Sequence, residues 1–145
     1  MWLYNKKELQ DTDVLESYLG FIYKITHIPS GKYYIGRKNL DMAAYKTVKG
    51  VKKKIRKPSN WKEYYSSSPD LLKEVAINGK AEYKREILIF CSTKAQMLLA
   101  EEYFLHITGS MFDMDCYNQN IRSTIYKKWF NKTPNFFSEL QSVDY

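Results

Sequence analysis

Two short strings that contain tyrosine stand eleven residues apart and are the groups of this chain best suited to chemistry. They are Phe21-Ile22-Tyr23 and Tyr34-Ile35-Gly36. The β-prone residues 20–27 and 32–36 predict two strands, and Pro29-Ser30-Gly31 supplies turn chemistry between them. A hairpin of this kind places two phenols beside each other, directly upstream of a basic segment. Phenols next to clustered cations suit a site that handles phosphate.

A carboxylate on a predicted helix is the second group of interest. The pattern Thr93-x-x-Gln96 is a capping box, and the helix is expected to continue to about Ile107 and to end at Gly109. Its predicted apolar stripe consists of Met97, Ala100, Phe104 and Ile107. Glu101 falls on the edge of this stripe, whereas Glu102 points almost directly away from it. Because a carboxylate against a core is costly unless something pairs with it, Glu101 is the stronger functional candidate.

The basic residues are concentrated in one segment. The chain has 145 residues and a formal net charge of +7. Residues 21–62 contain twelve Lys or Arg against a single acid, Asp41, whereas residues 63–145 contain nine basic residues against eleven acids. This distribution is typical of an electrostatic footprint for a polyanion rather than of general solubilisation. Residues 37–62 are expected to form a solvated loop or a helix face.

Further elements must position these groups. Residues 69–78 predict a helix, since proline suits a first helical position and Gly79 lies just past the end. Residues 84–91 predict the third strand. The first 19 residues are expected to form a short helical or irregular arm. The length allows one domain with a real core, followed by a basic aromatic tail.

Cysteine and histidine usage excludes several kinds of site. Cys91 and Cys116 are far apart and have no CxxC partner, so they fit neither a zinc site nor a disulfide framework. His27 and His106 have no second ligand at metal spacing and are interpreted as structural or solvent-exposed. No apolar run approaches transmembrane length, and the first residues lack a signal-peptide core. A soluble protein of a reducing cytoplasm, with no membrane partner, is the expectation.

The order of these features resembles that of the GIY-YIG nuclease domain. The two halves of the motif are Gly20-Phe21-Ile22-Tyr23 and Tyr33-Tyr34-Ile35-Gly36, and the resemblance extends from the first half to Asn118. Small, phage-encoded, homing-endonuclease-like members are the most similar, since residues 61–68 and 84–88 also resemble theirs. The resemblance implies an α+β fold with a three-stranded antiparallel sheet flanked by helices. It also implies metal-dependent hydrolysis of DNA phosphodiester bonds.

Roles for individual residues follow from the same resemblance. Tyr23 and Tyr34 match the two motif tyrosines, and Arg37 matches the cation that frequently follows the second half. Glu101 matches the single metal-binding carboxylate, and Asn118 matches the late asparagine. These residues are the predicted catalytic set, with Glu101 as the ligand of Mg²⁺ or Mn²⁺.

Two residues that the family frequently carries are displaced. The catalytic arginine is expected about ten residues after the second tyrosine, and that position is Ala44 here. An inserted basic stretch leaves the role to Arg56 or to one of Lys52–Lys54. The histidine near the serine-rich stretch is also absent, and Tyr65 or Ser66 occupies the region.

The chemistry of phosphodiester hydrolysis fits these residue types. A phenol has a pKa near 10 and is a poor base unless cations lower that pKa. Tyr34 is therefore the candidate general base or water-orienting group, with Tyr23 as its hydrogen-bond partner or as a phosphate ligand. A sole carboxylate ligand suits Mg²⁺, which keeps several waters and takes phosphate oxygens as ligands. The candidate DNA-binding residues are Lys38, Lys52, Lys53, Lys54, Arg56 and Lys57.

The predicted organisation is an N-terminal arm over residues 1–19, a nuclease domain over residues 20–120, and a tail over residues 121–145 that packs on or extends the domain. Because the tail is short, specificity for duplex DNA is expected to come from the nuclease domain, the basic segment, the tail or a homodimer. Three roles fit: a free-standing homing-type nuclease, a restriction-like nuclease, or a structure-specific repair nuclease. The alternatives are a non-catalytic DNA-binding protein on a degenerate scaffold and an RNA-binding module that stacks bases on strand aromatics.

Overall fold

Seven strands and three α-helices form in the part of the chain that the structure describes. A computed structural model describes residues 1–110, 113, 115–118 and 125–145. The strands are β1 (Trp2–Tyr4), β2 (Lys7–Glu8), β3 (Gly20–His27), β4 (Tyr33–Asn39), β5 (Asp41–Val48), β6 (Val51–Pro58) and β7 (Tyr83–Cys91). The helices are α1 (Pro69–Asn78), α2 (Lys94–Ile107) and α3 (Phe136–Gln141). Short 3₁₀ turns lie at Asp11–Asp13, Lys80–Glu82 and Lys127–Phe130.

Among the described residues, the main sheet has five strands in the order β2-β1-β7-β3-β4. At its centre, β3 pairs antiparallel with both β4 and β7, as the sequence predicted. The α+β class is confirmed. The sheet is larger than the predicted three strands because residues 2–8 add two more beside β7.

The first of these added strands corrects the expected arm. β1 lies parallel to β7, with Trp2 opposite Arg85. Trp2 is 3 % exposed, and its ring centroid lies 5.2 Å from that of Phe21. Burial of this indole accounts for the pairing, and the helical or irregular conformation expected at the N-terminus is wrong for residues 2–8.

β5 and β6 form a second, two-stranded sheet within the described chain. They pair antiparallel as a hairpin whose turn is made by Lys49 and Gly50, with φ of +51° and +76°. Two consecutive residues with positive φ are what a type I′ turn requires. The loop or helix face expected over residues 37–62 is therefore wrong. β-Branched and aromatic side chains between the cations sustain these strands, and the lysine content concealed the pattern.

The helices on the two faces of the sheet begin where the sequence predicted. α1 covers the predicted residues 69–78 and is capped by the Ser68 side chain. α2 follows Thr93, whose Oγ1 accepts a hydrogen bond from Gln96 N at 3.1 Å. The Gln96 side chain accepts from Ser92 N at 2.8 Å, so it does not close the predicted box on Thr93 itself.

Side chains on opposite faces of the sheet form two cores. On one face, α2 contributes Met97, Ala100 and Phe104, which pack with Ile22 and Ile35. On the other face, α1 contributes Leu71 and Val75, which pack with Phe21, Tyr23 and Ile25. The predicted stripe of α2 is wrong at Ile107, which is 36 % exposed, since Leu105 is buried instead.

Part of the C-terminal tail lies in the core on the α2 side. Phe130, Phe136 and Leu140 belong to this cluster and are all nearly inaccessible. The predicted boundary at residue 120 lies outside the described residues. The division of the chain into arm, nuclease domain and tail stays a prediction.

Candidate active site

The tyrosine pair lies on the sheet face that α1 covers. Tyr23 is on β3 and Tyr34 is on β4, where their Cα partners are Gly36 and Ile25 respectively. The two rings are therefore diagonal neighbours, and their centroids are 6.1 Å apart. Tyr23 is 1 % exposed, whereas Tyr34 is half-buried. Of the two phenols, Tyr34 is the one that presents surface to a substrate.

Gly36 makes room for the Tyr23 phenol. A Cβ atom at this position would lie 2.6 Å from Tyr23 Cζ and 2.8 Å from Tyr34 Cε1. Both distances are shorter than side-chain carbons tolerate. The glycine of the second motif half therefore serves the close approach of a ring to the backbone.

A serine-rich segment holds both tyrosine hydroxyls. Tyr23 is hydrogen-bonded to Tyr64 and Ser66, and Tyr34 is hydrogen-bonded to Ser66 and Ser67. Ser66 is 5 % exposed and has a φ of +146°. Backbone conformations of this kind cost on the order of 1–3 kcal/mol and persist where the surroundings fix them. The sequence pointed to the region of Ser66 but gave Tyr64 no role.

Burial keeps both phenols protonated. It raises the pKa of Tyr23 well above the ordinary value, and the neighbouring phenols add to the effect. The pKa of Tyr34 is also raised, first by burial, while its hydrogen bond to Ser67 opposes the rise and the Glu101 charge adds to it. The nearby cations therefore do not outweigh burial in the free protein. At neutral pH, Tyr34 is a hydrogen-bond donor suited to orienting water.

Lys38 lies on the same face as the tyrosines. Alternation along β4 places Tyr34, Gly36 and Lys38 on one side and Arg37 on the other. Lys38 Nζ is 4.1 Å from the centroid of the Tyr64 ring, within the range of a cation–π contact. Burial lowers the pKa of Lys38. This predicted DNA contact thus stands beside the hydroxyl network.

Glu101 lies on helix α2, which packs on the sheet face that carries Arg37. The carboxyl group is half-buried, and burial raises its pKa, while the Arg37 charge lowers that pKa and the Glu102 charge raises it. The Glu101 charge also raises the pKa of Tyr34, so it reaches the tyrosine pair. Tyr34, Arg37 and Glu101 therefore interact electrostatically, although α2 lies against the sheet face opposite to the tyrosine pair.

Glu102 differs from its prediction. Its side chain is 13 % exposed, and its Oε2 lies 3.6 Å from His106 Nε2. The expectation that it points almost directly away from the core is wrong, because the side chain is largely buried, with His106 one turn further along beside its carboxylate. Among the described residues, no group of three or more His, Cys, Asp or Glu is arranged to hold a metal ion. A metal at Glu101 would therefore rest on few protein ligands.

Asn118 braces strand β4. Its Oδ1 accepts a hydrogen bond from Ile35 N at 2.8 Å, and its Nδ2 donates to Ile35 O at 2.7 Å. Beside it, Cys116 forms a parallel bridge with Tyr33. The Asn118 amide thus continues the pairing that a neighbouring strand would provide. This is a positioning role for β4, and a direct catalytic role for Asn118 stays a prediction.

The basic run predicted to bind DNA lies on β6, in the second sheet. Its residues Lys52, Lys53, Lys54, Arg56 and Lys57 are all exposed. Arg56 was a candidate for the displaced catalytic arginine, and its Nε lies 3.7 Å from Asp41 Oδ2. Arg56 therefore forms an ion pair with Asp41, the first residue of β5.

Arg85 is a buried arginine that sequence reasoning did not assign to the site. It is 5 % exposed, and its guanidinium carbon lies 4.7 Å from the Trp2 ring centroid and 4.3 Å from that of Tyr65. Its Nη1 donates to Lys62 O at 3.0 Å and to Tyr64 O at 2.9 Å. Arg85 therefore fixes the backbone of the segment that holds the tyrosine hydroxyls. Local sequence patterns do not show such contacts, because they join residues more than twenty positions apart.

Two adjacent tyrosines on the sheet, cations on the neighbouring positions of β4 and a carboxylate on helix α2 are the features by which this chain resembles GIY-YIG nucleases. A family model described as "Putative endonuclease segE, GIY-YIG domain" matches residues 2–133. The chain belongs to this GIY-YIG endonuclease family. Comparison with curated proteins gave no significant match, and neither did comparison with solved structures.

None of the helices in the described part of the chain is both long enough and apolar enough to span a bilayer.

Proposed function

We propose that this protein is a Mg²⁺- or Mn²⁺-dependent endonuclease that hydrolyses phosphodiester bonds of duplex DNA. The observation that carries the proposal is the adjacent pair of Tyr23 and Tyr34, whose ring centroids lie 6.1 Å apart and whose hydroxyl groups both interact with Ser66. The hydroxyl groups offer the water-orienting donors, and the half-buried Glu101 carboxylate offers the metal ligand, that this hydrolysis needs.

The donor chemistry of the site fits a hard divalent cation. Glu101 offers carboxylate oxygens, the ligand type that Mg²⁺ and Mn²⁺ prefer. Burial raises the pKa of this carboxyl group and so disfavours its ionised form in the free protein. A bound cation would stabilise that ionised form. Mg²⁺ commonly binds through one or two carboxylates and keeps several waters. When bound, such a metal supplies Lewis-acid polarisation of a phosphate oxygen.

Side chains of the chain itself provide the remaining functions. Tyr34, held by Ser66 and Ser67, orients a water molecule toward phosphorus through its hydroxyl group. Lys38 takes the part of the displaced arginine, because its ammonium group lies on the tyrosine face and can hold developing negative charge. Arg37, on the other side of β4, binds an adjacent phosphate oxygen.

A plasmid-nicking assay tests this proposal. Wild-type protein with Mg²⁺ should convert supercoiled DNA to nicked or linear products, and EDTA should prevent the conversion. Tyr34→Phe should lower the rate by roughly 100-fold or more, the usual contribution of a positioned acid–base group. Glu101→Gln should abolish metal-dependent cleavage and leave DNA binding intact. The matched control is Glu102→Gln, which should keep its activity, and cleavage by Glu101→Gln would contradict the assignment.

A non-catalytic DNA-binding function is the second candidate, and one observation favours it. The position expected for the catalytic arginine is Ala44, a half-buried residue of β5. DNA binding without cleavage in either Mg²⁺ or Mn²⁺ would support this candidate. Competition between duplex DNA and single-stranded RNA tests the RNA-binding alternative.

The homing, restriction-like and repair roles predict different cleavage products. We propose to separate them by sequencing the ends formed from a mixed DNA substrate. One long recurring site is expected of a homing nuclease, and many short sites are expected of a restriction-like one. Cleavage confined to branched molecules is expected of a repair nuclease.

A further inference from the structure

The basic hairpin formed by β5 and β6 is not used by the proposed active site. Each strand has eight residues, and all eight residues of β6 are exposed. At about 3.3 Å per residue, the hairpin is roughly 25 Å long. A two-stranded hairpin is marginally stable in water by itself, so contact with a partner would add to its stability.

Charge identifies the kind of partner. The hairpin contains the cations Lys46, Lys49, Lys52, Lys53, Lys54, Arg56 and Lys57 and the single acid Asp41. Seven positive charges and one negative charge give +6, out of +7 for the whole chain, so the rest of the molecule carries +1. This concentration predicts that a polyanion binds the hairpin rather than the body of the protein.

The pairing register gives the hairpin two different faces. One face carries Asp41, Ala43, Tyr45, Thr47, Lys52, Lys54, Arg56 and Pro58. The opposite face carries Met42, Ala44, Lys46, Val48, Val51, Lys53, Ile55 and Lys57. Hydrogen-bonding groups dominate the first face, and there Lys52 Nζ lies 4.5 Å from the centroid of the Tyr45 ring. The second face is largely aliphatic.

We propose that this hairpin enters the major groove of duplex DNA, with its hydrogen-bonding face toward the base edges and its other lysines toward the phosphates. The inference rests on the proposed function, because it takes DNA as the substrate. The major groove of B-form DNA is about 12 Å wide and admits a two-stranded ribbon, and Arg and Lys are the side chains that bind guanine O6 and N7 there. The deep, narrow major groove of A-form RNA excludes such a ribbon.

Contacts at the base of the hairpin allow it to be removed cleanly. Ser59 N donates to Leu40 O at 2.8 Å, and Ser59 Oγ donates to Asn39 O at 2.6 Å. Leu40 is buried, with 6 % exposure. Because these contacts lie outside residues 41–58, a two-residue Asn-Gly turn in place of the hairpin leaves the body intact.

Duplex binding in EDTA tests the inference without cleavage. Fluorescence anisotropy with a labelled duplex of mixed sequence would compare wild type, the shortened chain and the triple variant Lys52→Thr, Lys54→Thr and Arg56→Thr. Threonine preserves strand propensity. The matched control carries the same loss of charge at exposed positions outside the hairpin, as Lys73→Thr, Lys94→Thr and Lys132→Thr.

The expected result is a loss of duplex affinity of roughly tenfold or more for the triple variant, because it lacks the three cations placed toward the base edges. The duplex affinity of the control variant should stay within about twofold of wild type, since the lysines substituted in it lie outside the hairpin that enters the DNA groove. Dimethyl sulfate should show wild-type protein protecting guanine N7, which lies in the major groove.

Three results would overturn the inference. They are wild-type affinity in the triple variant, absence of N7 protection in a complex that forms, and equal competition by duplex RNA. Failure of the proposed function looks different: binding would depend on the hairpin as expected, but no DNA would be cleaved when Mg²⁺ is added.

Discussion

Gly36 and Tyr23 are Cα partners across β3 and β4, and the phenol occupies the space where a side chain at Gly36 would stand. The hydroxyl of Tyr23 is thereby fixed in position on this face of the sheet, next to Ser66. Its neighbour Tyr34 is bonded to the same serine. The position of the reactive groups thus depends on the absence of a Cβ atom at residue 36.

Gly36→Ala should impair the site severely. The new methyl group would meet the Tyr23 ring at 2.6 Å, so either the ring or strand β4 has to move. We expect a loss of cleavage of at least about 100-fold, since small displacements of a positioned group have effects of this size. Thermal denaturation should show a cost of roughly 1–3 kcal/mol, as for other overpacked sites. Ile77→Ala, at an exposed position of helix α1, is the control for activity.

Glu101→Gln is expected to stabilise the metal-free protein at neutral pH. Burial raises the pKa of Glu101, so the folded protein holds this proton more tightly than the unfolded chain does. The stabilising contribution of the carboxyl group is present below its ordinary pKa, near 4.3, and is lost as pH rises through the raised pKa. The melting temperature of the variant should exceed that of wild type at pH 7, and the difference should disappear below about pH 4.

Addition of Mg²⁺ provides the control for that experiment. A ligand that binds the native state raises the melting temperature. Mg²⁺ should therefore stabilise wild type and leave Glu101→Gln unchanged. A difference between the two proteins that is constant with pH, or equal stabilisation of both by Mg²⁺, would count against a buried, metal-binding carboxylate.

At the scale of elements, side chains of β7 and β1 hold the segment between β6 and α1 in place. Arg85 donates to two of its backbone carbonyls, and Trp2 Nε1 donates to a third, Trp61 O, at 2.8 Å. These bonds are far from Tyr34 along the chain but define where its serine partners lie. Arg85 is thus a positioning residue, which acts through the backbone that it holds.

Arg85→Lys should separate catalysis from binding. Lysine keeps the charge but lacks the planar fork that serves two carbonyls and stacks between two rings. We expect kcat to fall about tenfold or more while the affinity for duplex DNA in EDTA changes less than about twofold. Lys84→Arg, on the exposed side of β7, is the control. An unchanged kcat, or a fall that merely follows the loss of folded protein, would remove this role from Arg85.

Elements with local signals were predictable, and those built on distant contacts were not. β3, β4, α1 and α2 follow from alternation, turn residues and caps that lie within a few positions of one another. β1 is three residues long and depends on pairing with β7, so it is too short to be predicted from alternation of apolar and polar residues. The β5–β6 hairpin has a turn signal in Lys49-Gly50, but the charge run around it is equally typical of a loop. For the same reason, the tyrosines and Glu101 were found from sequence, whereas Tyr64 and Arg85 were not.

On the scale of the whole molecule, charge and catalysis are separated. The hairpin holds +6 of the +7 net charge, while the tyrosine pair and Glu101 lie on or against the main sheet. Affinity for a polyanion and chemistry at phosphate are therefore expected to respond to different substitutions. Hairpin variants should change the salt dependence of binding, and sheet variants should change the rate.

Limited proteolysis tests this separation. Trypsin should cut first within residues 46–57, because this stretch is rich in lysine and fully exposed. Duplex DNA should slow these cuts, since DNA bound to the hairpin covers its lysine residues. Mass spectrometry of the early fragments measures both effects. First cuts in the main sheet, or the same cutting rate with and without DNA, would not fit a DNA-covered hairpin.

The parallel pairing of β1 with β7 has a consequence for the nascent chain. Arg85, the partner of Trp2 in the sheet, is synthesised more than eighty residues after it. The serine segment and the tyrosine hydroxyls cannot reach their final arrangement until β7 has left the ribosome and joined the two. Chains whose synthesis stops before β7 should therefore lack the arranged hydroxyl groups and have no nuclease activity.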